Sequence, residues 1–327
     1  MSSLGYYLSM AGRGIGNYFT SRPFCVSFEI TYACNARCKH CHLGGPNPGE
    51  KQAAPKEYAA RCREIKPVVA QVSGGEPLLR KDVEDIVSAL KRENKPPYIV
   101  LTTNGALLKP EKYRKLRDAG VDAFSLSFDF PDERHDDFRG IPGLFNKIIH
   151  LLETVKDDDC NGIALSAVAQ RQNFRELVNM AEFARKWNVK MNFSTYTWLR
   201  TENMDYMIPE EEIPELEEII AKLKEHKKKY DTVVASDFVF DMMVKFFREK
   251  SIGGCRAGER FLVVNPDAPF VNRQPVGQAL VAGTGHGQPG VSESPAQVRG
   301  LLAIVIVPKD ALAVDLPDVF GEELGDV

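Results

Sequence analysis

Residues 26–41 read VSFEITYACNARCKHC, and this stretch decides the fold. Its first half alternates with the period of a β-strand: Val26, Phe28 and Ile30 on one side, Ser27, Glu29 and Thr31 on the other. Its second half puts Cys34, Cys38 and Cys41 in C-x3-C-x2-C spacing on the loop that follows. Three thiolates on one short loop can hold three corners of an iron–sulfur cube. The missing fourth cysteine leaves one iron without a protein ligand, and an open metal position is where chemistry happens. The alternative for the same residues is a zinc site completed by His40 or His42.

Outward from this stretch, strand and helix signals alternate. Runs rich in β-branched and aromatic residues lie at 26–31, 69–73, 98–103, 123–129, 162–168 and 190–196. Helical patterns separate them, at 55–65, 80–93, 110–118, 142–155 and 173–187, the last capped by Asn173. Six such β–α repeats imply a parallel sheet with right-handed crossovers. One side of the strands is polar (Gln71, Ser73, Thr102, Asn104, Ser125, Ser127, Asp129, Asn192, Ser194, Tyr196), the other apolar (Phe124, Leu126, Phe128, Met191, Phe193). A closed eight-stranded barrel fills its interior with branched aliphatics. The expected fold is therefore α/β: a partial (β/α)6 TIM-like barrel with a hydrophilic lumen and an irregular C-terminal extension. The expected division is an N-terminal extension over 1–21, the barrel over 22–200, a helical region over 201–267 and an atypical tail over 268–327.

Composition narrows the function classes. The 327 residues carry 42 basic and 45 acidic side chains, so no basic excess points to nucleic acid. No apolar run approaches the roughly 20 residues of a membrane span. The N-terminus has no charged region ahead of its apolar residues, so no signal peptide is expected. Seven cysteines, three of them on one loop, read as metal chemistry in a reducing cytoplasm rather than a disulfide framework. Cys25, Cys62 and Cys160 have no ligand spacing and read as buried small hydrophobes. Gly12-x-Gly14-x-Gly16 follows no strand and is not a nucleotide loop.

The cysteine motif after the first strand, Gly74-Gly75-Glu76-Pro77 after the second and Thr102-Thr103-Asn104-Gly105 after the third together resemble a radical S-adenosylmethionine (radical SAM) enzyme, over roughly residues 22–200. The resemblance implies a [4Fe-4S] cluster on Cys34, Cys38 and Cys41, whose fourth iron binds the amine and carboxylate of SAM. An electron from the cluster cleaves a carbon–sulfur bond of the sulfonium, and the resulting 5′-deoxyadenosyl radical takes a hydrogen atom from the substrate. It makes Gly74, Gly75 and Glu76 acceptors for the SAM amine and sets His40 beside the adenine. Thr102 and Asn104 belong to the same cofactor set. Ser127 and Asp129 resemble the pair that reaches the ribose and methionine portions, and Arg139, in a His-Asp-x-x-Arg pattern, resembles the arginine that pairs with the SAM carboxylate. The competing reading of Arg139 is a surface salt bridge with Asp132, Glu133, Asp136 and Asp137. Gln170, at the end of the fifth strand, reaches the same site.

Cys255 opens a segment resembling the start of an auxiliary-cluster (SPASM or twitch) region, where a cysteine precedes a hairpin. Here no cysteine follows it, and composition changes abruptly at Ala268, as a replaced or shifted reading frame would produce. The resemblance implies a flavodoxin or ferredoxin as electron donor and a peptide or small molecule as substrate. Against it stand a zinc-stabilised binding protein without radical chemistry, and a barrel made inactive toward its substrate by the altered tail.

Overall fold

The computed structural model describes residues 3–91, 95–158, 162–198, 201–251 and 260–267. Cys160, Cys255 and the tail from Ala268, for which the sequence raised expectations, lie outside the described residues. Six strands occupy the expected places: β1 (Cys25–Glu29), β2 (Val69–Ser73), β3 (Tyr98–Thr103), β4 (Ala123–Ser127), β5 (Ile163–Ala169) and β6 (Lys190–Thr195). A seventh, β7 (Phe261–Val264), was not among them. It pairs parallel to β1 at the sheet edge, Cys25 opposite Phe261, where the sequence suggested a hairpin strand. All seven are parallel, in the order β6-β5-β4-β3-β2-β1-β7, and curl into the half-barrel of a partial TIM barrel.

Helices cover the apolar outside: α2 (Pro55–Ile65), α3 (Val83–Leu90), α4 (Pro110–Ala119), α5 (Arg134–Arg139), α6 (Leu144–Val155) and α7 (Leu177–Lys186). Val26, Phe28, Leu101, Phe124, Leu126, Leu165 and Phe193 are completely buried in one cluster with side chains of these helices. Truncating one of the phenylalanines to alanine costs about 3–5 kcal/mol. α4 shows how the punctuation works. Pro110 supplies its first turn without wasting an N–H, and Gly120 ends it at φ 118°, with its N–H on Leu116 and Arg117 carbonyls. Two helix readings need correction. The 80–93 pattern gives only α3, because the backbone is extended at Arg80 before it and at Lys91 after it. Asn173 does not cap α7: its Oδ1 accepts from the Gln170 N–H, its Nδ2 donates to the Asp129 and Val168 carbonyls, and a 3-10 turn over Phe174–Glu176 intervenes.

Beyond β6, an acidic 3-10 turn leads into α8 (Ile213–Tyr230), which buries Leu216, Ile220 and Leu223 and ends on Lys227, Lys228 and Lys229, as its dipole favours. It packs on α7 and on α9 (Asp237–Glu249), which Ser236 caps. The N-terminal extension is also structured. Its residues form α1 (Ser3–Phe19), which buries Met10 against the lumen side of the strands' first residues, Cys25, Val69, Tyr98 and Ala123. Asn17 fixes it by donating to the Pro23 and Lys66 carbonyls. The lumen therefore changes along its axis. Its N-terminal end is apolar and plugged by α1, and polar pairs follow above: Gln71 donates to Thr102 at 2.7 Å, and Ser27–Ser73 and Ser125–Ser166 pair at 2.6 and 2.9 Å. No described helix is long and apolar enough to cross a membrane.

Candidate active site

The cysteine loop leaves the C-terminal end of β1, and every nearby element grips its backbone. Cys34 exchanges both backbone hydrogen bonds with Gly45, at 3.0 and 2.9 Å, which folds the loop back on itself. Glu50 closes the ring: it accepts from the Thr31 hydroxyl at 2.7 Å, the Tyr32 N–H and the Gln52 amide. Burial works against its charge, but these bonds outweigh it and hold its pKa below the ordinary glutamate value.

From β2 comes the diglycine bend. The Gly75 N–H donates to the Thr31 carbonyl at 2.7 Å and the Glu76 N–H to the Ala33 carbonyl at 2.8 Å. A Cβ on Gly74 would lie 2.2 Å from the Thr31 oxygen, and one on Gly75 2.2 Å from the Ala33 oxygen. Both positions therefore require glycine, because the loop backbone occupies the side-chain space. Glu76 is fully buried. Its carboxylate accepts from the Leu78 and Asn104 N–H groups and from the Thr103 hydroxyl, so it ties the β2 end to the β3 end. Burial raises its pKa in spite of these donors. The Asn104 side chain reaches across to Asn35, inside the cysteine motif, at 2.7 Å.

The third grip comes from α5. The Arg37 and Lys39 N–H groups donate to the Arg139 and Phe138 carbonyls. The Arg139 side chain turns inward: Nε lies 2.6 Å from Asp129 Oδ2, and Nη1 3.6 Å from the Cys38 sulfur. Asp129 is completely buried, and burial opposes its charge, yet the Arg139 guanidinium keeps its pKa low. Arg139 is therefore not a surface salt bridge. Asp132 pairs with Arg134 instead, and Asp136 caps the first turn of α6 through the Gly143 and Phe145 N–H groups. His40 stacks on Phe138, ring centroids 4.9 Å apart and planes 10° apart, with the edge of Tyr206 at 6.5 Å. Its buried Nδ1 has no partner, and burial pulls its pKa down to about 4.

None of the three cysteines is in a disulfide; Cys34 and Cys38 are half-buried and Cys41 is exposed. Burial pushes the Cys34 thiol up to about 11, with Glu76, Cys38 and Cys41 adding to the rise. Burial also raises Cys38, against the pull of Arg139. The thiols thus stand within electrostatic reach of one another. Among the described residues no three His, Cys, Asp or Glu side chains are arranged to hold a single metal ion.

Of the other expected residues, Thr102 holds Gln71 in the lumen, and Ser127 stands opposite Ser166. Gln170 is completely enclosed, with neither amide atom partnered. Sequence reasoning missed Glu50 and Arg80. Arg80 pairs with Asp82 and donates to the Ile30 and Ala53 carbonyls, bracing the end of β1 from below. A lone arginine just after Pro77 carries no sequence signal for this role. Glu50 lies outside any motif.

A family model described as the Radical SAM superfamily matches residues 28–184. The chain is 30% identical to a probable GTP 3′,8-cyclase of Methanococcus aeolicus, covering 63% of this chain and 72% of that protein. It is 26% identical to a PqqA peptide cyclase of Granulibacter bethesdensis, covering 75% of this chain and 66% of that protein. Streptococcus suis SuiB bound to its precursor peptide SuiA shares the fold, with a TM-score of 0.59 at 15% identity, covering 78% of this chain and 61% of that one. The chain spans about half the length of other curated relatives that it matches, 48% and 53% in two cases.

Proposed function

Because this chain belongs to the radical SAM superfamily, whose [4Fe-4S] cluster and S-adenosylmethionine are its cofactors, we propose that it uses them to abstract hydrogen from a peptide. When bound, the pair supplies a 5′-deoxyadenosyl radical by reductive cleavage of SAM. The observation that carries the reading is convergence: residues after β2, after β3 and in α5 all bond directly to the segment Thr31–Cys41, Gly75 and Glu76 to its start at Thr31 and Ala33, Asn104 to Asn35, and Arg139 and Phe138 to Arg37 and Lys39.

In this reading Cys34, Cys38 and Cys41 hold the cluster. The bend at Gly74 and Gly75 both positions that loop and offers its carbonyls to the SAM amine. Arg139, fixed by Asp129, presents the positive charge that a carboxylate seeks beside the cluster. His40, neutral and stacked, offers a flat partner for an adenine. Ser127, Thr102 and Asn104 line the way down. The barrel over 22–200 does the chemistry, and the later helices cover the β6 edge. The walls keep water from a radical that would attack whatever is nearest. A flavodoxin or ferredoxin supplies the electron. The peptide assignment rests on the likeness to the PqqA peptide cyclase.

The test is anaerobic reduction of the reconstituted protein with SAM and dithionite. Release of 5′-deoxyadenosine, lost in Cys38→Ala, supports the reading; a protein that binds iron yet leaves SAM intact refutes it.

A further inference from the structure

A row of rings crosses the open mouth of the half-barrel. Phe130, just past β4, stands edge-on to Phe138 at 5.5 Å, and Phe138 lies flat on His40 at 4.9 Å. His40 meets Tyr206 at 6.5 Å with the planes 73° apart, and Tyr206 packs on Tyr196 at 5.5 Å. All of these centroid distances lie in the contact range of aromatic pairs. Phe130, Phe138, Tyr196 and Tyr206 are buried. One link differs from the rest. His40 belongs to the loop after β1 and Tyr206 to the segment after β6, and four strands separate β1 from β6 in the sheet. The contact between these two rings therefore spans the curl from one side to the other.

The segment that carries Tyr206 is tied down on its own side. The Tyr196 hydroxyl donates to the Asn203 carbonyl at 2.9 Å and pairs with the Thr201 hydroxyl at 2.6 Å. Asn203 Oδ1 accepts the Asp205 N–H at 2.7 Å, and the Tyr206 carbonyl accepts the Arg171 N–H at 3.0 Å, beside the end of β5. A ring fixed in this way can steady one that rides on a loop. His40 has reason to be steadied. Its Nδ1 is buried without a partner, a cost that a bound ligand would remove. Adenine offers both an exocyclic N–H₂ and ring-nitrogen acceptors, so either tautomer of the imidazole finds a mate. Phe138 covers one face of His40, and Tyr206, nearly perpendicular to it, blocks the ring from swinging away.

We propose that Tyr206 is a positioning residue for the nucleoside end of S-adenosylmethionine, acting through His40. This rests on the radical SAM reading above and on the place of His40 beside the adenine. It extends that reading to a residue outside every sequence motif and on the far side of the mouth. The ring carries the effect and the hydroxyl does not, because His40 Nδ1 receives no hydrogen bond from it.

The experiment compares wild type, Tyr206→Leu and Tyr206→Phe as full chains with the cluster reconstituted anaerobically. Calorimetry reads SAM affinity, and the EPR spectrum of the reduced cluster reads binding of methionine alone. Tyr206→Leu should retain its iron and bind methionine like the wild type, yet bind SAM several-fold more weakly. Tyr206→Phe should restore SAM affinity. A merely structural role would not separate SAM from methionine in this way. Unchanged SAM affinity in Tyr206→Leu, no rescue by Tyr206→Phe, or an equal loss of SAM and methionine binding would overturn the proposal. Should Tyr206→Leu fail to fold, Tyr206→Met, with an unbranched side chain, is judged by the same outcomes. A wild type that holds its iron but binds no SAM would instead refute the radical SAM reading itself.

Discussion

Arg139 and Asp129 form a buried ion pair at the mouth of the half-barrel, Nε to Oδ2 at 2.6 Å, and the same guanidinium points Nη1 at the Cys38 sulfur. One residue thus links the end of β4 to the cysteine loop. Removing the cation strands Asp129, which is completely buried. Arg139→Ala should cost about 3–5 kcal/mol, measured by denaturant unfolding. Arg139→Lys keeps the charge but loses the planar fork. It should bind SAM more weakly in a calorimeter while retaining its iron; normal SAM affinity in that variant would remove Arg139 from the cofactor site.

Gly75 and Gly12 give opposite expectations for the same substitution. A Cβ on Gly75 would lie 2.2 Å from the Ala33 oxygen, so Gly75→Ala must displace the loop that carries Cys34. It should fold yet fail to retain iron after gel filtration. Gly12 lies within α1, where an added Cβ would meet nothing within 4 Å, and Gly12→Ala should stabilise the helix by about 0.5–1 kcal/mol.

Glu50 latches the cysteine loop without touching a cysteine. Glu50→Gln leaves an amide N–H₂ where two acceptors now receive four donors, so bound iron should be lost several-fold faster to a chelator. The sign with pH follows from its lowered pKa. The latch is intact above the ordinary glutamate value and opens as pH falls through the lower folded value. Wild-type iron retention should therefore be flat near neutrality and fall only in acid.

His135 sets a second pH window. It is completely buried, its Nδ1 accepts the Asp129 N–H at 3.2 Å, and burial pulls its pKa from 6.5 to about 4. The unfolded chain therefore binds the extra proton first. The contribution is complete above the unfolded value and declines as pH falls from 6.5 to about 4. His135→Leu orphans the Asp129 N–H, at a cost of about 1–3 kcal/mol, but should give a shallower pH dependence across that window in urea unfolding. An unchanged slope would mean that His135 is protonated in the native protein.

The strand pattern and the cysteine loop were legible because each is local. Alternation in residues 26–31 states which side faces the lumen, and C-x3-C-x2-C needs no distant partner. What stayed hidden depends on contacts far along the chain. Glycines at 5, 12, 14 and 16 argue against helix in residues 3–19, and only packing of Met10 and anchoring of Asn17 make it one. The run Phe261–Val264 reads equally well as a hairpin strand, and its parallel partner, β1, lies more than two hundred residues away. Gly74 and Gly75 were legible as part of the Gly-Gly-Glu-Pro motif, but the loop backbone at Thr31 and Ala33 that packs against them was not. Asn173 looked like a helix cap by position and serves instead to fasten β5 to Asp129.

Everything turns on whether three thiolates of this loop leave one iron open for SAM. Mössbauer spectroscopy of the ⁵⁷Fe-reconstituted protein, with and without SAM, reads that iron itself. About four irons per chain are expected, one of them shifting when SAM is added. Four irons that ignore SAM, or a colourless protein holding a single zinc, would contradict this.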